Sequence, residues 1–323
     1  MKSLIFMERS IPNIGFKRRG MNVHVEKLIK IYRSGEMEVQ ALRGVTATFT
    51  PGQITCIMGP SGSGKTTLLN LIGGIDRPTG GIVRIDNIDL TKLGERDLEL
   101  HRLYNIGFVF QALNLIPVLT AIENIELPMA LAGIGKDDRR KRALWLLDLV
   151  GLKDKAERYP EELSGGEQQR VAIAIALAND PPIILADEPT AELDSSNAKI
   201  VIDILIKLAK EAKKTIILAT HDPRIAIRTD RILRLEDGII VGEYTPLDLE
   251  RTSLSLGVIE GTAQVNIAEV IKMRIAKIEK EIMELESKYK EGSITLEELT
   301  KRVSKLKKLK EALEDLLISI GGQ

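Results

Sequence analysis

The sequence predicts an α/β protein built on a largely parallel sheet, and three observations carry that reading. Between residues 22 and 243, short β-branched runs alternate with helical stretches, the rhythm of strand-helix-strand units. Several runs are apolar at consecutive rather than alternate positions, as expected of strands covered on both faces. One run passes directly into a glycine-rich loop that opens a helix.

The strand candidates are residues 54–58, 106–110, 183–187, 215–219 and 232–235. Between residues 95 and 150 the chain turns mostly helical, with 121–132 and 137–150 the best helices, and this stretch reads as a helical subdomain inserted into the sheet. With 323 residues, 44% of them hydrophobic, the chain can bury one large core plus a smaller accessory element. Residues 1–21 are read as an N-terminal leader, either disordered or preceding a start at Met21, and Leu4-Ile5-Phe6-Met7 is too short for a signal-peptide core.

Residues 244–266 form a mixed linker punctuated by Pro246, Gly257 and Gly261. A second unit follows over 267–320. Ile271, Ile275, Ile278, Ile282, Leu285 and Tyr289 recur at spacings of four and three, the mark of a narrow apolar helix seam. Gly292-Ser293 interrupts it, and Thr295-Leu296-Glu297-Glu298 has capping-box spacing for a new helix. Leu299, Val303, Leu306, Leu313 and Leu317 continue the seam, with Lys310 at a position that should be apolar. A helical hairpin packing on itself is preferred over a homodimeric coiled coil, because each helix covers only about three heptads.

Composition narrows the function classes. Lys plus Arg and Asp plus Glu balance at 46 each, so no net field draws nucleic acid or an anionic membrane, and Lys305, Lys307 and Lys308 are read as a solvated face. No apolar stretch approaches the roughly eighteen residues needed to cross a bilayer. The single cysteine, Cys56, lies in an apolar run and fits a reducing compartment and a packing role.

Three motifs carry chemistry. Gly59-Pro60-Ser61-Gly62-Ser63-Gly64-Lys65-Thr66 stands between a strand and a helix-like run from Thr67, the context of a phosphate-binding loop. Its glycines let successive N–H groups face phosphate oxygens, the helix N-terminus adds a favourable dipole, Lys65 neutralises the β- and γ-phosphates, and the Thr66 hydroxyl suits Mg²⁺. Asp187-Glu188 ends an apolar strand, where Asp187 can hold Mg²⁺ through water and Glu188 can act as general base. By itself this pair equally fits a helix N-cap. Leu163-Ser164-Gly165-Gly166-Glu167-Gln168-Gln169-Arg170 then supplies a second anion-binding helix start, and one nucleotide does not need two cradles within one chain.

Together these motifs resemble those of ATP-binding cassette (ABC) proteins, whose fold is a P-loop NTPase domain with a helical signature subdomain. The resemblance spans residues 22–243. It implies that Ser164, Gly165, Gly166 and Glu167 cap the ATP held by the partner subunit, and that the ATP site comprises Gly59 to Lys65 with Thr66, Thr67, Gln111 and Tyr32. Gln111 matches the glutamine that contacts Mg²⁺ and senses the membrane partner, Asp194 the loop crossing the dimer interface, and His221 the switch histidine on the γ-phosphate. Tyr32 matches the aromatic that stacks on adenine. Glu188, His221 and Lys65 are thereby the catalytic set.

Segments such as Asn70-Leu71-Ile72-Gly73-Gly74-Ile75-Asp76-Arg77-Pro78-Thr79-Gly80-Gly81 and Glu123-Asn124-Ile125-Glu126-Leu127-Pro128 look like the lipoprotein-releasing, macrolide-export and cell-division branch. That likeness implies a transport-coupled ATPase that homodimerises around two Mg-ATP and drives a separate permease from the cytoplasmic face of the membrane. The alternative is a regulator of a membrane partner that controls envelope enzymes without transport. Soluble cassette proteins of translation or DNA repair fit poorly, since they carry two cassettes or a very long coiled-coil insertion. Two departures stand out: Ile175 where the family usually has arginine, and the tail beyond residue 244.

Overall fold

Six strands form the sheet on which the larger unit is built, and their sequences explain why it is buried on both sides. In the computed structural model, which describes residues 15–35, 37–248, 267–290, 295, 298–300, 302–304, 306, 307, 310, 311, 313 and 314, the chain divides into Met1–Thr252 and Ser253–Gln323. The first strands are β1 (Val23–Ser34), β2 (Met37–Phe49) and β3 (Ile54–Met58), followed by helix α1 (Lys65–Ile72). Next come β4 (Gly80–Ile85), β5 (Ile88–Asp89), α2 (Glu95–Asn105), β6 (Ile106–Val109), α3 (Ala121–Leu131), α4 (Lys136–Leu149) and α5 (Gly165–Ala176). The unit closes with β7 (Ile183–Asp187), α6 (Ser195–Lys210), β8 (Thr215–Thr220), α7 (Pro223–Ala226), β9 (Arg231–Glu236) and β10 (Ile239–Tyr244).

The main sheet runs β10-β9-β3-β8-β7-β6, parallel except for β10, which forms a hairpin with β9. Ile184, Ala186, Ile216 and Leu218 face the core shared with α3 to α6, while Ile183, Leu185, Ile217 and Ala219 face α1. That two-sided burial is the physical reason for consecutive apolar residues. α1 is wedged between this sheet and a second, antiparallel one ordered β2-β1-β4-β5, with Leu68, Leu69, Leu71 and Ile72 fully buried. The second sheet is the main departure from a largely parallel expectation. Its β2 alternates buried and exposed positions from Leu42 onward, the pattern of a strand with one wet face. Ile175, the family's usual arginine position, packs partly buried against the main core. Cys56 is fully buried in β3, where burial pushes its thiol pKa up, in keeping with a packing role.

Residues 15–20, expected to be part of a leader, are fastened to the domain by buried charges. Asp180, itself wholly buried, accepts from the Lys17 and Arg18 amides at 2.9 and 3.0 Å and pairs with the buried Lys214 ammonium at 2.5 Å. Lys214 also donates to the Arg18 carbonyl at 2.7 Å, and Gly20 N–H reaches Lys213 O at 2.8 Å. Arg142, from α4, donates to Gly15, Leu177 and Ala178 carbonyls, and Phe16 meets Trp145 edge-on with centroids 5.0 Å apart. The Arg18 guanidinium reaches Tyr104 O and Asn105 Oδ1 at the end of α2. The strap therefore ties α2 and α4 to the β7–β8 side of the sheet.

The smaller unit contains α8 (Ile267–Lys290) and further helical residues between 298 and 314. Ile278, Leu285 and Leu313 of the seam are buried, and Ile275, Ile282, Leu299, Val303 and Leu306 are half-buried. Lys310, the outlier of the seam, donates to Glu279 Oε1 at 2.6 Å and lies 3.4 Å from Glu314. Its ammonium is thus neutralised beside the apolar stripe, joining α8 to the later segment. Thr295 accepts from the Glu298 amide at 3.3 Å, as a capping box requires. The side chain of Ile271, Leu317, residues 1–14 of the leader and the linker beyond 248 lie outside the described residues. No helix among the described residues is long and apolar enough to cross a membrane.

Two outcomes are expected. Asp180→Ala strands the Lys214 charge in a buried site and should cost about 3–5 kcal/mol in urea unfolding. His101, fully buried beside Asn105, has its pKa pushed from 6.5 down to about 4 by burial and then by the Arg102 and Arg18 charges. The folded protein resists protonation that the unfolded chain accepts, so stability falls as pH drops from 6.5 toward 4, by about 3 kcal/mol from this group. His101→Leu should remove that component from a stability-versus-pH series.

Candidate functional site

The site lies at the carboxyl ends of β3, β7 and β8, where adjacent parallel strands release three loops side by side. After β3 the chain turns through Gly62 (φ 80) and Gly64 (φ 103), left-handed conformations that side chains rarely adopt. Gly59 is needed for a different reason, since a Cβ there would stand 2.0 Å from the Leu235 carbonyl of β9. Ser63 O accepts from Gly238 N–H at 3.1 Å, so the β9–β10 turn braces the loop. Pro60, Ser61, Gly62 and Thr66 are exposed, Thr67 half-exposed, and Ser63 buried.

Lys65 opens α1 and is 7% exposed. Its ammonium donates to Gly59 O at 2.8 Å and Pro60 O at 3.0 Å, and lies 3.7 Å from Glu188 Oε1. Glu188 stands just past β7 with φ 46, a costly conformation for a residue other than glycine, held by its amide's bond to Ala219 O at 2.9 Å. Its Oε2 accepts from the buried Thr220 hydroxyl at 3.1 Å, and Oε1 pairs with His221 Nδ1 at 2.9 Å. The structure thus gathers Lys65, Glu188 and His221 into one cluster and adds Thr220, which sequence reasoning missed although it adjoins His221.

Asp187 is 4% exposed, and its Oδ1 has no hydrogen-bond partner. Burial pushes its pKa up and the Glu188 charge adds to this, against a hydrogen bond from Thr66. A buried carboxylate with an unpartnered oxygen, standing near Thr66 beside the phosphate loop, is a donor set that suits a hard divalent cation completed by phosphate oxygens and water. Gln111 is exposed two residues beyond the Val109↔Ala186 pair, and Asp187 is one residue beyond it, so both emerge from the same sheet edge.

Ser164 caps α5 in a full capping box: its N–H and hydroxyl meet Glu167 Oε2 at 2.8 and 3.0 Å, and its Oγ accepts from the Glu167 amide. Among the described residues, none of the hydrogen bonds or ion pairs of 164–167 reaches the phosphate loop of the same chain. A Cβ on Gly165 would meet nothing within 4 Å, whereas one on Gly166 would stand 2.5 Å from Asn197 Cγ. Asn197 is clamped by Asp194 Oδ2 at 2.5 Å and by Arg170 at 2.6 Å, and Asp194 caps α6 through the Ser196 and Asn197 amides. Sequence reasoning missed this link between the Ser164 and Asp194 loops, which no contiguous motif encodes. Tyr32, on β1, is 40% exposed and donates to Asp76 Oδ2 at 2.9 Å.

A glycine-rich loop after a central parallel strand, a buried lysine and two carboxylates at the end of β7, one strand removed in the same sheet, define a phosphate-loop nucleoside triphosphatase. Residues 42–191 match the profile of the ABC transporter family. An uncharacterized ABC transporter ATP-binding protein of Thermotoga maritima is 49% identical over 213 residues, 66% of this chain and 91% of that protein. The lipoprotein-releasing system ATP-binding protein LolD of Legionella pneumophila is 44% identical over 213 residues, covering 66% and 94%. Among solved structures, a dimeric post-hydrolysis state of the ATP-binding cassette MJ0796 bound to ADP and Pi is 46% identical, covers 69% of this chain and 98% of that one, and superposes with a TM-score of 0.66. The chain belongs to the ABC transporter ATP-binding proteins. It binds ATP and hydrolyses it as the ATPase subunit of an ABC transporter.

The two signature glycines should separate in unfolding measurements. Gly166→Ala has no free room, because Asn197 is held from two sides, and should cost about 1–3 kcal/mol of stability. Gly165→Ala should leave the melting temperature of the isolated chain within about a degree of the parent.

Proposed function

We propose that two copies of this chain sandwich two Mg-ATP, close on binding and reopen after hydrolysis, and that this cycle drives a separately encoded membrane permease. The observation that carries the reading is that α5 presents a capped, solvent-facing N-terminus unengaged with the chain's own phosphate loop. A second copy supplies the nucleotide for it, and the 46% identical cassette is dimeric with ADP and Pi.

In this scheme the 59–64 amides and Lys65 bind the β- and γ-phosphates, with Lys65 exchanging its bonds to Gly59 O and Pro60 O for phosphate oxygens. Thr66 and Gln111, with Asp187 through water, would hold Mg²⁺, which when bound would neutralise developing charge on the phosphates. Glu188 orients and polarises the attacking water as general base, with its carboxylate aimed by Thr220 and His221. His221 also bonds the γ-phosphate. Ser164 to Glu167 complete the partner's site, Asp194 lies at the dimer interface, and Tyr32 stacks on adenine.

Beyond Gln111, Ile116, Val118, Leu127 and Leu131 are exposed, and in this scheme they meet a cytoplasmic helix of the permease. In this reading the chain works on the cytoplasmic side of the membrane, peripheral through its partner. Within that scheme the work is export or mechanical transmission to extracytoplasmic domains, a reading in keeping with the 44% identity to the ATP-binding protein of a lipoprotein-releasing system. The tail from residue 267 is read as a helical hairpin that packs on itself.

Glu188→Gln is expected to keep ATP binding, lose about 10²–10⁴-fold in kcat and run as a dimer with Mg-ATP in analytical ultracentrifugation. A parental hydrolysis rate would overturn the base assignment. A monomer under saturating Mg-ATP would overturn the sandwich.

A further inference from the structure

We infer that Lys30 and Asp76 are positioning residues for the adenine platform: they clamp Tyr32 in one orientation, leaving a single ring face open to the base. The inference rests on the reading of Tyr32 as the adenine-stacking residue.

Lys30 and Tyr32 are two residues apart on β1, so their side chains leave the same face of the strand. Asp76 comes from the turn after α1, far from β1 in sequence but fastened to it, because Thr79 N–H donates to Ile29 O at 2.8 Å and Ile31 N–H to Thr79 Oγ1 at 3.0 Å. Within this frame Asp76 uses both carboxylate oxygens. Oδ1 accepts from Lys30 Nζ at 2.7 Å and from the Arg77 amide at 2.7 Å, and Oδ2 accepts from the Tyr32 hydroxyl at 2.9 Å. Lys30 also donates to Arg77 O at 2.8 Å, and its ammonium sits over the Tyr32 ring, 4.7 Å from the centroid. The Tyr32 hydroxyl also stands near the Thr67 side chain of the phosphate-loop helix.

The groups are only partly wet, with side-chain exposures of 12% for Lys30 and 30% for Asp76. Partial burial pushes the Asp76 carboxyl up, but the bonds from Lys30, the Arg77 amide and Tyr32 outweigh it and hold it below the usual carboxylate range. Asp76 is therefore a charged acceptor at neutral pH, the state that grips a phenol most firmly. A free tyrosine on a strand end loses rotamer freedom each time a base stacks on it. One whose edge is tied and whose back face is covered by a cation has already lost it, so adenine binds a preorganised surface.

The test is steady-state ATPase kinetics of the full chain with Tyr32→Phe, Asp76→Ala, their combination, Lys30→Met and Tyr32→Ala. Inhibition by inorganic tripolyphosphate, which has no base, is measured alongside. Tyr32→Phe, Asp76→Ala and Lys30→Met should each raise KM for ATP about three- to tenfold with kcat unchanged. The double variant should do no more than the larger single, and tripolyphosphate inhibition should not move. If Tyr32→Ala leaves KM at the parental value, the adenine reading itself is wrong and the clamp falls with it. If Tyr32→Ala raises KM but Tyr32→Phe and Asp76→Ala do not, the ring stacks unaided and the clamp is refuted while the adenine reading stands. Equal weakening of ATP and tripolyphosphate by Asp76→Ala would show that Asp76 merely shapes the loop, which also refutes the proposal.

Discussion

A buried ammonium is the constraint around which the larger unit is arranged. Lys65 is nearly sealed from water, and a charge so placed is tolerated only when oxygen atoms surround it. Two come from the carbonyls of its own loop and a third from Glu188, and each fixes a piece of the fold. Turning those carbonyls inward requires left-handed Gly62 and Gly64 and a Gly59 pressed against β9. Bringing Glu188 within reach requires β7 close to β3, and the sheet order β3-β8-β7 places only β8 between them. That intervening strand ends in Thr220, whose hydroxyl then holds the Glu188 carboxylate. Strand order, loop shape and side-chain chemistry are consequences of one electrostatic demand.

The strain at Glu188 belongs to the same economy. A non-glycine residue with φ 46 persists only where surrounding contacts determine it, and here the amide is tied to β8 while the carboxylate is tied to Thr220 and His221. The left-handed turn throws the side chain back across the strand end toward Lys65, whereas the preceding Asp187 stays buried beside Thr66. Two adjacent carboxylates thereby acquire different surroundings, one poised over the loop and one set into it, which is how neighbouring acids take different roles.

What was legible in the sequence divides along a physical line. The buried strands and the phosphate loop were readable because two-sided burial and phosphate binding both write contiguous patterns, as in Ile183-Ile184-Leu185-Ala186-Asp187-Glu188. The antiparallel sheet was harder: β1 pairs with β2 through several register shifts, and the exposed face of β2 dilutes its apolar signal. The strap at residues 15–20 was invisible, since its meaning lies in Asp180, Arg142 and Lys214, more than a hundred residues away and without a periodic mark. The same holds in the site, where Lys65, Glu188 and His221 sit in motifs but Asp76 gains significance only by standing against Lys30 and Tyr32. Lys310 is the converse case, a seeming fault in a helix seam that Glu279 and Glu314 resolve in space.

The signature glycines show how one short motif can serve two surfaces. Gly166 gives up its Cβ to the chain's own architecture, because Asn197 occupies that space and is gripped by Asp194 and Arg170. Gly165 meets nothing among the described residues that would crowd a Cβ, so its bareness leaves room for something that approaches from outside. Under the sandwich reading that visitor is the phosphate carried by the partner. The Asn197 clamp then has a mechanical consequence: the N-termini of α5 and α6 cannot shift independently, since moving Gly166 displaces Asn197 and with it the Asp194 cap. Any force applied to the signature by a partner's nucleotide reaches the start of α6 through van der Waals contact and charge-assisted hydrogen bonds. α6 leads directly into β8, which ends in Thr220 just before His221, so under the sandwich reading the signature and the groups that hold the Glu188 carboxylate are joined by contiguous structure.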